Sequence, residues 1–373
     1  MQFYEFKETQ ERVILIGVQT EVGDDVEASL DELEELAETA GAETVAKVIQ
    51  NREAVHPGTY IGKGKIEEVA SLLRALDANG VICDDELSPA QLNNLERELD
   101  CKVMDRTLLI LDIFAGRAIS SEGKIQVELA QLRYRAARLV GLRESLSRLG
   151  GGIGTRGPGE KKLETDRRLI RTRISALKAE LAQVEKHREL IRGKRSRGNL
   201  KTAAIVGYTN AGKSTLLNTL TGAGILAEDK LFATLDPTTR VLELKDGQQI
   251  LLTDTVGFIR KLPHHLVEAF KSTLEEAKYA DYIIHVVDAS NPQAELQMFT
   301  VYETLRELGA TGKKIVTLLN KQDQVTGSDI RDLKADYTVK CSARTGEGLD
   351  EFKDVLAKLL AEDQIYLEEL YPV

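Results

Sequence analysis

Residues 207–214 read Gly207-Tyr208-Thr209-Asn210-Ala211-Gly212-Lys213-Ser214, and the rest of the chain is organised around this stretch. It has the spacing G-x-x-x-x-G-K-[ST], which builds a phosphate-binding loop when it joins a strand to a helix. The apolar run 203–206 predicts that strand, and residues 215–220 predict that helix. In this context the loop N–H groups converge on a pyrophosphate, whereas a chance glycine-rich turn lacks both flanking elements. Lys213 is then expected to reach the β- and γ-phosphates, and the Ser214 hydroxyl to ligate Mg²⁺.

A second motif, Asp254-Thr255-Val256-Gly257, follows the apolar run 250–252. A carboxylate at that strand end can hold Mg²⁺ through water, and the Gly257 N–H can meet the γ-phosphate. A switch carrying a threonine for Mg²⁺ must then lie between the phosphate loop and Asp254. The candidates are Thr234, Thr238 and Thr239, and composition alone does not choose among them.

Two further motifs predict recognition of guanine. Asn320-Lys321-Gln322-Asp323 follows the apolar run 315–319, and Ser342-Ala343-Arg344 follows 337–340. The Asp323 carboxylate can accept both N–H groups of the N1/N2 edge of guanine, and adenine presents no such pair. The backbone after Ser342 can donate to guanine O6. Each motif alone is weak evidence, but their order and strand-end placement together predict a guanine-nucleotide domain over residues 200–360.

Length and composition set the outer limits. The chain has 373 residues, which suffices for two or three domains with their own cores. It contains no apolar run of the roughly 18 residues that span a bilayer, and its first residues lack the pattern of a signal peptide. Cys83, Cys101 and Cys341 form no C-x-x-C pair, which argues against a disulfide scaffold and a zinc site. We therefore expect a cytoplasmic protein without a membrane span.

The N-terminal region alternates short apolar runs with helical patterns, which predicts a small α/β domain with a mainly parallel sheet. Ser88-Pro89 predicts a helix start, with serine as N-cap and proline at the first helical position. The segment 60–65 contains G-x-G, a weak phosphate signal, and a turn from strand to helix is the better interpretation.

A strongly basic segment separates the two α/β regions. The net charge is −15 over residues 1–116, +12 over 117–198 and −7 over 199–373. Helical periodicity at 124–147 and 160–191, interrupted by the glycine-rich run 150–159, predicts an antiparallel hairpin with a flexible tip. Basic side chains surround that tip and continue on the second helix: Arg148, Arg156, Lys161, Lys162, Arg167, Arg168, Arg171 and Arg173. They suit an irregular RNA surface, and a merely solvated helical pair is the alternative.

Three stretches resemble the HflX family of translational GTPases: Phe232 to Arg240 (F-A-T-L-D-P-T-T-R), Asp254 to Pro263 (D-T-V-G-F-I-R-K-L-P) and the glycine-rich segment 150–159. The resemblance covers nearly the whole chain, with the basic hairpin ahead of the GTPase domain. It implies that Thr234 is the switch threonine that binds Mg²⁺. It also implies binding to the large ribosomal subunit, with dissociation or rescue of ribosomes under stress.

The predicted site therefore consists of GTP as substrate, Mg²⁺ as cofactor and a defined residue set. Lys213, Thr234 and Gly257 are the predicted catalytic residues, and Ser214 and Thr234 the predicted metal ligands. The predicted nucleotide contacts are Gly207, Tyr208, Thr209, Asn210, Ala211, Gly212, Lys213, Ser214, Phe232, Ala233, Thr234, Leu235, Asp236, Asp254, Thr255, Val256, Gly257, Asn320, Lys321, Gln322, Asp323, Ser342, Ala343 and Arg344.

The residue after D-x-x-G bears on the rate of hydrolysis. Ras-like enzymes place a water-orienting glutamine there, but this chain has Phe258, which cannot orient water. We therefore predict a slow intrinsic GTPase that the ribosome stimulates. His264 and His265 lie nearby and are interpreted as bystanders. Asn210 matches the position used by potassium-activated relatives, so K⁺ is a further predicted cofactor.

The predicted architecture is α/β. Besides the ribosome-associated GTPase, two other functions are considered, a protein-binding scaffold and a tRNA-modification partner. The chain is predicted to be a monomer that contacts the large ribosomal subunit and its rRNA through residues 124–192. The alternative is a nucleotide-gated scaffold that binds proteins through its acidic N-terminal domain. A tRNA-modification partner would need a C-terminal cysteine signature, which the tail 365–373 lacks. The predicted segments are an α/β domain (1–106), a basic hairpin (107–192), a linker (193–199), a Ras-like GTPase domain (200–360) and a tail (361–373).

Overall fold

The computed structural model describes residues 11–20, 25–149, 158–196, 200–222, 224, 230–245, 247–263, 266, 271–325 and 330–370. The chain divides into two compact units, unit one (1–116 with 124–181) and unit two (117–123 with 182–373). Most of the glycine-rich tip (150–157) and the pair His264 and His265 lie outside the described residues. No helix in the described ranges is both long enough and apolar enough to cross a membrane.

Unit one contains a four-stranded sheet in which every strand pair is parallel, in the order β2-β1-β3-β4. The strands are β1 (Arg12–Gln19), β2 (Glu43–Asn51), β3 (Gly80–Cys83) and β4 (Lys102–Asp105). The helices between and after them are α1 (Val26–Thr39), α2 (Lys63–Ala75), α3 (Pro89–Leu99) and α4 (Arg106–Arg117). The predicted parallel α/β domain is confirmed, whereas α4 was not predicted.

Local sequence explains where these helices begin. The Ser88 side chain accepts from the Gln91 N–H while the Gln91 side chain accepts from the Ser88 N–H, so α3 starts with a full capping box. The turn at residues 60–62 leads directly into α2, and the Gly62 N–H donates to Gln50 Oε1 at 2.8 Å. A Cβ at Gly62 would lie 2.5 Å from the Arg52 guanidinium, which is the flexible end of that side chain.

The two long helices are α5 (Ser121–Leu149) and α6 (Pro158–Ser196). Apolar side chains of both helices form one cluster: Ile125, Leu129, Leu132, Ile174, Leu177 and Leu181. Glu122 pairs with Arg188 and Glu128 with Arg173, so residue numbers rise along α5 as they fall along α6. Arg173 adds a two-point contact to Glu128, with nitrogen–oxygen distances of 2.7 and 2.9 Å. The predicted antiparallel hairpin is confirmed. Helix α6 continues to Ser196, through most of the segment that was expected to be a linker.

Unit two contains a six-stranded sheet in the order β10-β9-β8-β5-β7-β6. The pair of β6 and β7 is antiparallel and all other pairs are parallel. The strands are β5 (Lys201–Gly207), β6 (Thr238–Glu243), β7 (Gln249–Asp254), β8 (Tyr282–Asp288), β9 (Lys314–Asn320) and β10 (Tyr337–Lys340). The helices are α7 (Lys213–Thr221), α8 (Lys271–Tyr279), α9 (Ala294–Glu307) and α10 (Leu349–Leu370), with a 3₁₀ turn at Gln322–Gln324.

The sheet of unit two is covered on both faces. Residues 282–287 of β8 are all buried, which explains why this strand is a nearly continuous apolar run. Phe352, Leu356 and Leu359 of α10 are fully buried in the core formed by β5, β8 and β9. Each such side chain contributes about 1.5–3 kcal/mol through the hydrophobic effect. The result is a rigid sheet whose carboxyl edge carries the loops described next.

Candidate nucleotide-binding site

One cavity of about 300 Å³ lies at the carboxyl edge of the sheet in unit two. Such an edge is where open parallel α/β sheets bind ligands. The four predicted motifs, which are far apart in sequence, meet around it. Its lining residues are Thr209, Asn210, Gly212, Lys213, Ser214, Thr215, Lys230, Phe232, Ala233, Thr234, Thr255, Gly257, Asn320, Lys321, Asp323, Gln324, Ser342, Ala343 and Arg344.

The phosphate loop joins β5 to α7, as the sequence predicted. Gly212 caps α7 with φ of 95°, and a Cβ there would lie 2.3 Å from Asn320 Nδ2. Glycine is therefore required by both backbone conformation and space. The Lys213 ammonium donates to Tyr208 O at 2.6 Å and is 6% exposed. Burial lowers the pKa of Lys213 to about 8, while the nearby Asp254 opposes that shift.

Three oxygen-bearing side chains converge beside this lysine. The Ser214 hydroxyl donates to Asp254 Oδ2 at 2.7 Å and lies 2.7 Å from Thr234 Oγ1. Asp254 is fully buried, which raises the pKa of its carboxyl group, and its Oδ1 accepts no hydrogen bond within the described part of the chain. Two hydroxyls and a buried carboxylate with an open oxygen are the hard oxygen donors that Mg²⁺ prefers. The residues present therefore fit a magnesium ion.

The geometry separates the three candidate switch threonines. Thr234 lies against Ser214, whereas Thr238 and Thr239 belong to β6. The Thr239 hydroxyl pairs with that of Thr253 at 2.9 Å, within the antiparallel strand pair. Thr234 is thus the candidate whose oxygen joins the carboxylate cluster.

The D-x-x-G segment is fastened to the phosphate loop by its backbone. The Thr209 N–H donates to Phe258 O at 2.8 Å, and the Phe258 N–H donates to Gly207 O at 3.1 Å. A Cβ at Gly257 would lie 2.8 Å from the Thr209 Cα and 2.9 Å from the Lys213 ammonium, so only glycine fits between them. Phe258 itself is 1% exposed. It acts as an apolar anchor for this segment.

The base end of the cavity is built around Asn320 and Asp323. Asn320 Nδ2 donates to Ala211 O, and Asn320 Oδ1 accepts from the Ala343 N–H, both at 2.8 Å. This amide therefore joins the phosphate loop to the loop after β10. Asp323 accepts from the Ser342 hydroxyl at 2.8 Å and pairs with Arg344, and these contacts lower the pKa of its carboxyl group. A carboxylate kept ionised at this position can accept from guanine N–H groups.

Of the predicted nucleotide contacts, Gly207, Leu235, Asp236, Val256 and Gln322 do not line the cavity, whereas Thr255 does. Gly207 ends β5, where a Cβ would lie 2.2 Å from Val286 O. The Thr255 hydroxyl donates to Ile205 O at 2.8 Å. Leu235 and Val256 are both 4% exposed and belong to the core. The Gln322 side chain donates to Leu319 O, and the Asp236 carboxylate contacts the chain at residues 119 and 120.

Four residues with a place at the site were not predicted. Thr215, Lys230 and Gln324 line the cavity, and Asp288 holds the Lys321 ammonium at 2.7 Å. Two of them had a usable signal: Thr215 adjoins Ser214 in the first turn of α7, and Asp288 closes the apolar run of β8. Lys230 and Gln324 carry no motif that distinguishes them from surface residues.

Comparisons with known proteins agree with this geometry. Residues 27–115 match the family model "GTP-binding GTPase N-terminal", 117–195 match "GTP-binding GTPase Middle Region", and 202–321 match "50S ribosome-binding GTPase". The chain is similar to the GTPase HflX of Lacrimispora saccharolytica, at 68% identity over 98% of this chain and 87% of that protein. It is also similar to the GTPase HflX of Caldanaerobacter subterraneus, at 50% identity over 99% and 85%.

A solved structure, that of the SsGBP and GDP complex, has a similar fold. It is 27% identical, covers 95% of this chain and 99% of that chain, and gives a TM-score of 0.53. That protein holds GDP, a guanine nucleotide.

Proposed function

The chain belongs to the HflX family of GTPases, and from this premise we propose that it binds and hydrolyses GTP in the cavity of unit two and thereby controls its association with the large ribosomal subunit. The observation that carries the proposal is the cluster of Ser214, Thr234 and Asp254 beside the buried Lys213, at the opposite end of the cavity from Asp323. We place this activity in the cytoplasm, in the dissociation or rescue of ribosomes under stress.

Hydrolysis requires charge neutralisation and positioning more than covalent chemistry. The oxygen of a water molecule bonds to the γ-phosphorus as the bond to the β–γ bridging oxygen breaks, giving GDP and inorganic phosphate. Lys213 and the N–H groups of the phosphate loop stabilise the negative charge on the phosphate oxygens, and Gly257 donates its N–H to the γ-phosphate. Ser214 and Thr234, together with Asp254 through water, would hold Mg²⁺, which would supply further positive charge.

The position after D-x-x-G implies a slow intrinsic rate. Phe258 is buried and fixed by two backbone hydrogen bonds to the phosphate loop, so no side chain at that position can orient the attacking water. A ribosome-bound state that orders the switch segments would raise the rate. GTP hydrolysis by the chain alone should therefore be slow, and large subunits should stimulate it.

The hairpin is the proposed contact with ribosomal RNA. Arg168, Arg171 and Lys178 are exposed on α6, whereas Arg173 is engaged with Glu128 within the hairpin. Exposed guanidinium groups can pair with phosphates and stack on bases. The family description "50S ribosome-binding GTPase" supports the large subunit as the source of that RNA. We retain the functional division into an N-terminal domain (1–106), a basic hairpin (107–192), a linker (193–199), a GTPase domain (200–360) and a tail (361–373). We also propose that the chain acts as a monomer.

Co-sedimentation with isolated large subunits tests the proposal. The purified chain is pelleted with large subunits in a non-hydrolysable GTP analogue, in GDP and without nucleotide, with small subunits as the control. We expect the most pelleting with the GTP analogue and a steep decrease with salt. Arg168→Gln with Arg171→Gln should weaken binding and flatten the salt dependence, whereas Arg97→Gln, on an exposed arginine of the acidic domain, should not.

Two outcomes would contradict the proposal. Equal pelleting with the GTP analogue, with GDP and without nucleotide would contradict the proposal that GTP controls binding to the large subunit. Equal affinity for GTP and ATP would remove the guanine assignment and leave a nucleotide-gated scaffold as the better interpretation.

We also propose that Asn210 supports a potassium ion beside the phosphates. Asn210 lines the cavity and adopts φ of 60°, which is uncommon for a residue other than glycine. A monovalent cation there would act as a fixed positive charge during hydrolysis. Turnover should be faster in potassium than in sodium at equal ionic strength, and Asn210→Ala should abolish the difference. Equal rates of the unmodified chain in both salts would remove the idea.

A further inference from the structure

Asp236 makes contacts that its place in the switch segment does not explain. Its Oδ2 accepts from the Ile119 N–H at 2.9 Å and from the Ser120 N–H at 2.8 Å, and its Oδ1 accepts from the Ser120 hydroxyl. The Ser120 hydroxyl in turn accepts from the Gly123 N–H at 2.9 Å. Ser120 is thus the N-cap of α5, and Asp236 accepts hydrogen bonds from the N–H groups of Ser120 and of Ile119 before it.

The first turn of α5 is shaped to admit this carboxylate. A Cβ at Gly123 would lie 2.6 Å from Asp236 Oδ1 and 3.1 Å from the Ser120 hydroxyl. A side chain at position 123 would therefore push Asp236 away. Glycine within a helix otherwise costs stability, so close approach is the physical reason for it here.

The segment that carries Asp236 also carries Thr234, which belongs to the proposed magnesium site with Ser214 and Asp254. Thr234, two residues before Asp236, has its hydroxyl 2.7 Å from that of Ser214. Leu235 between them is 4% exposed, so the segment is anchored in the core. Pro237 follows and restricts Asp236 to extended backbone conformations. A displacement of Thr234 would therefore be transmitted to Asp236 over only two residues.

The contact also lies where the chain passes from one unit to the other. Residues 117–123 belong to unit two together with Asp236, and α5 continues from Lys124 in unit one. Within unit two, Arg188 of α6 pairs with Glu122 in the same first turn of α5. The first turn of α5 and the part of α6 that pairs with it thus both belong to unit two.

We propose that Asp236 is a positioning residue that couples the position of Thr234 beside Ser214 to the N-terminal cap of α5. Because binding free energies are reciprocal, a nucleotide that holds Thr234 strengthens the cap, and an intact cap favours that nucleotide. GTP provides the γ-phosphate that orders Thr234 and GDP does not, so the cap should favour GTP over GDP. The inference rests on the proposed function only for its GTPase part and does not require the ribosome.

The test compares affinities of the full chain for a fluorescent non-hydrolysable GTP analogue and for fluorescent GDP. Asp236→Ala and Ser120→Ala should each lower affinity for the analogue by about three- to thirtyfold, the range of a lost helix cap, with GDP affinity unchanged. Because both substitutions remove the hydrogen bond between the Ser120 hydroxyl and Asp236, the loss of affinity in the double variant should be smaller than the product of the two single losses. A structural defect without coupling would lower both affinities together.

Gly123→Ala provides a second test that changes no residue of the cavity. It should reproduce the selective loss of analogue affinity because its Cβ displaces Asp236. Gly116→Ala is the matched control, since it is also a helical glycine and a Cβ there would meet nothing within 4 Å. If Asp236→Ala does not fold, Ser120→Ala and Gly123→Ala still decide the question.

Three results would overturn the inference: multiplying effects in the double variant, equal loss of GDP affinity, or identical behaviour of Gly123→Ala and Gly116→Ala. A wild-type chain that does not prefer GTP to ATP would instead overturn the proposed function. The two failures are therefore distinguishable.

Discussion

The two sheets of this chain carry charged side chains at the same edge but satisfy them differently. In unit one, Arg106 follows β4 and lies 2.6 Å from Asp84, which follows β3, and neither side chain is more than 1% exposed. In unit two, Asp254 ends β7 and is equally buried, yet one of its oxygens has no partner among the described residues. Parallel sheets collect polar groups at their carboxyl ends. A cluster whose charges are all paired is therefore structural, whereas a cluster with an unpaired oxygen is a place for a ligand.

The cluster in unit one is closed by the chain itself. Arg106 also donates to Ser29 O at 2.9 Å and pairs with Glu32 at 2.6 Å. Burial opposes the charge, but Asp84 and Glu32 raise the pKa of Arg106 above its usual value. The Ser29 hydroxyl donates to Asp84 at 2.8 Å. With its charges and donors satisfied internally, this cluster is expected to hold the domain together.

The largest effect should come from breaking that cluster. Asp84→Asn keeps the size of the side chain but leaves the Arg106 charge buried with Glu32 alone. We expect a loss of about 3–5 kcal/mol in the free energy of unfolding of unit one. Urea unfolding followed by hydrogen exchange in β1 and β3 would measure it. GTP affinity should not change at temperatures where the variant is folded.

An exposed ion pair of the same unit is the control. Lys102 and Glu11 lie 2.9 Å apart with side chains about half exposed, at 53% and 52%. Glu11→Gln should cost no more than about 1 kcal/mol. A loss as small in Asp84→Asn would mean that the buried cluster is not a structural centre.

The same change from aspartate to asparagine at the carboxyl edge of the sheet in unit two, the open edge, should not lower the free energy of unfolding. Asp254→Asn removes a buried carboxylate that lacks a full set of partners, so the unliganded unit two should be equally stable or more stable, by up to about 1 kcal/mol. GTP hydrolysis should fall about 100-fold or more because the carboxylate proposed to hold Mg²⁺ through water is gone. Thermal unfolding without nucleotide and a phosphate-release assay would measure the two effects. Destabilisation as large as that of Asp84→Asn would erase the contrast between the two edges.

A smaller effect on the free energy of unfolding should come from pH, through the buried pair of His285 in β8 and Asp332. His285 Nδ1 lies 3.7 Å from Asp332 Oδ2, too far for a hydrogen bond, and burial lowers the pKa of this histidine. The unfolded chain therefore binds more protons below about pH 6.5, so the free energy of unfolding falls as pH falls. The expected loss is at most about 1.4 kcal/mol per pH unit. Urea unfolding of unit two between pH 7 and pH 5.5 is the measurement.

His285→Gln separates the histidine from other groups. The variant should lose the pH dependence in this range, because glutamine does not titrate. Asp332 accepts from Thr317 and Tyr302 at 2.6 and 2.5 Å, and the neighbouring His285 together with these two bonds lowers the pKa of its carboxyl group against the opposing effect of burial. It stays ionised throughout, and its own contribution is lost only at lower pH. If the dependence of the unfolding free energy on pH were unchanged in His285→Gln, titratable groups other than His285 would be its cause.

Local sequence predicted the elements that depend on neighbouring residues. The strand–loop–helix around Lys213, the capped start of α3 and the parallel sheets follow from short patterns with a fixed spacing. Strand ends could be located for the same reason, and they place Asp254 and Asp323 at one edge. The edge strand β6 and helix α4 were missed because their patterns resemble a switch loop and an apolar strand.

Partners that lie far apart in sequence could not be predicted. Arg173 counted as a cation for RNA, but it pairs with Glu128, 45 residues away, and Arg138 pairs with Asp105, 33 residues away. A charge count does not distinguish an arginine bound within the protein from an exposed one. The contact between Asp236 and the α5 cap, 116 residues apart, was hidden for the same reason.

The smallest effect should come from the second arginine–aspartate pair, which makes the sharpest comparison with the first. Arg344 pairs with Asp323 but is 70% exposed, so solvent screens the pair and ordering the side chain offsets its attraction. Arg344→Gln should leave the urea midpoint of unit two unchanged. Arg344 also donates to the carboxylate proposed to bind guanine, so fluorescent GDP should bind equally well or up to about threefold more tightly. If Arg344→Gln were instead as destabilising as Asp84→Asn, exposure would not decide which charge pairs are structural, and the open edge of unit two would have to be interpreted as a closed one.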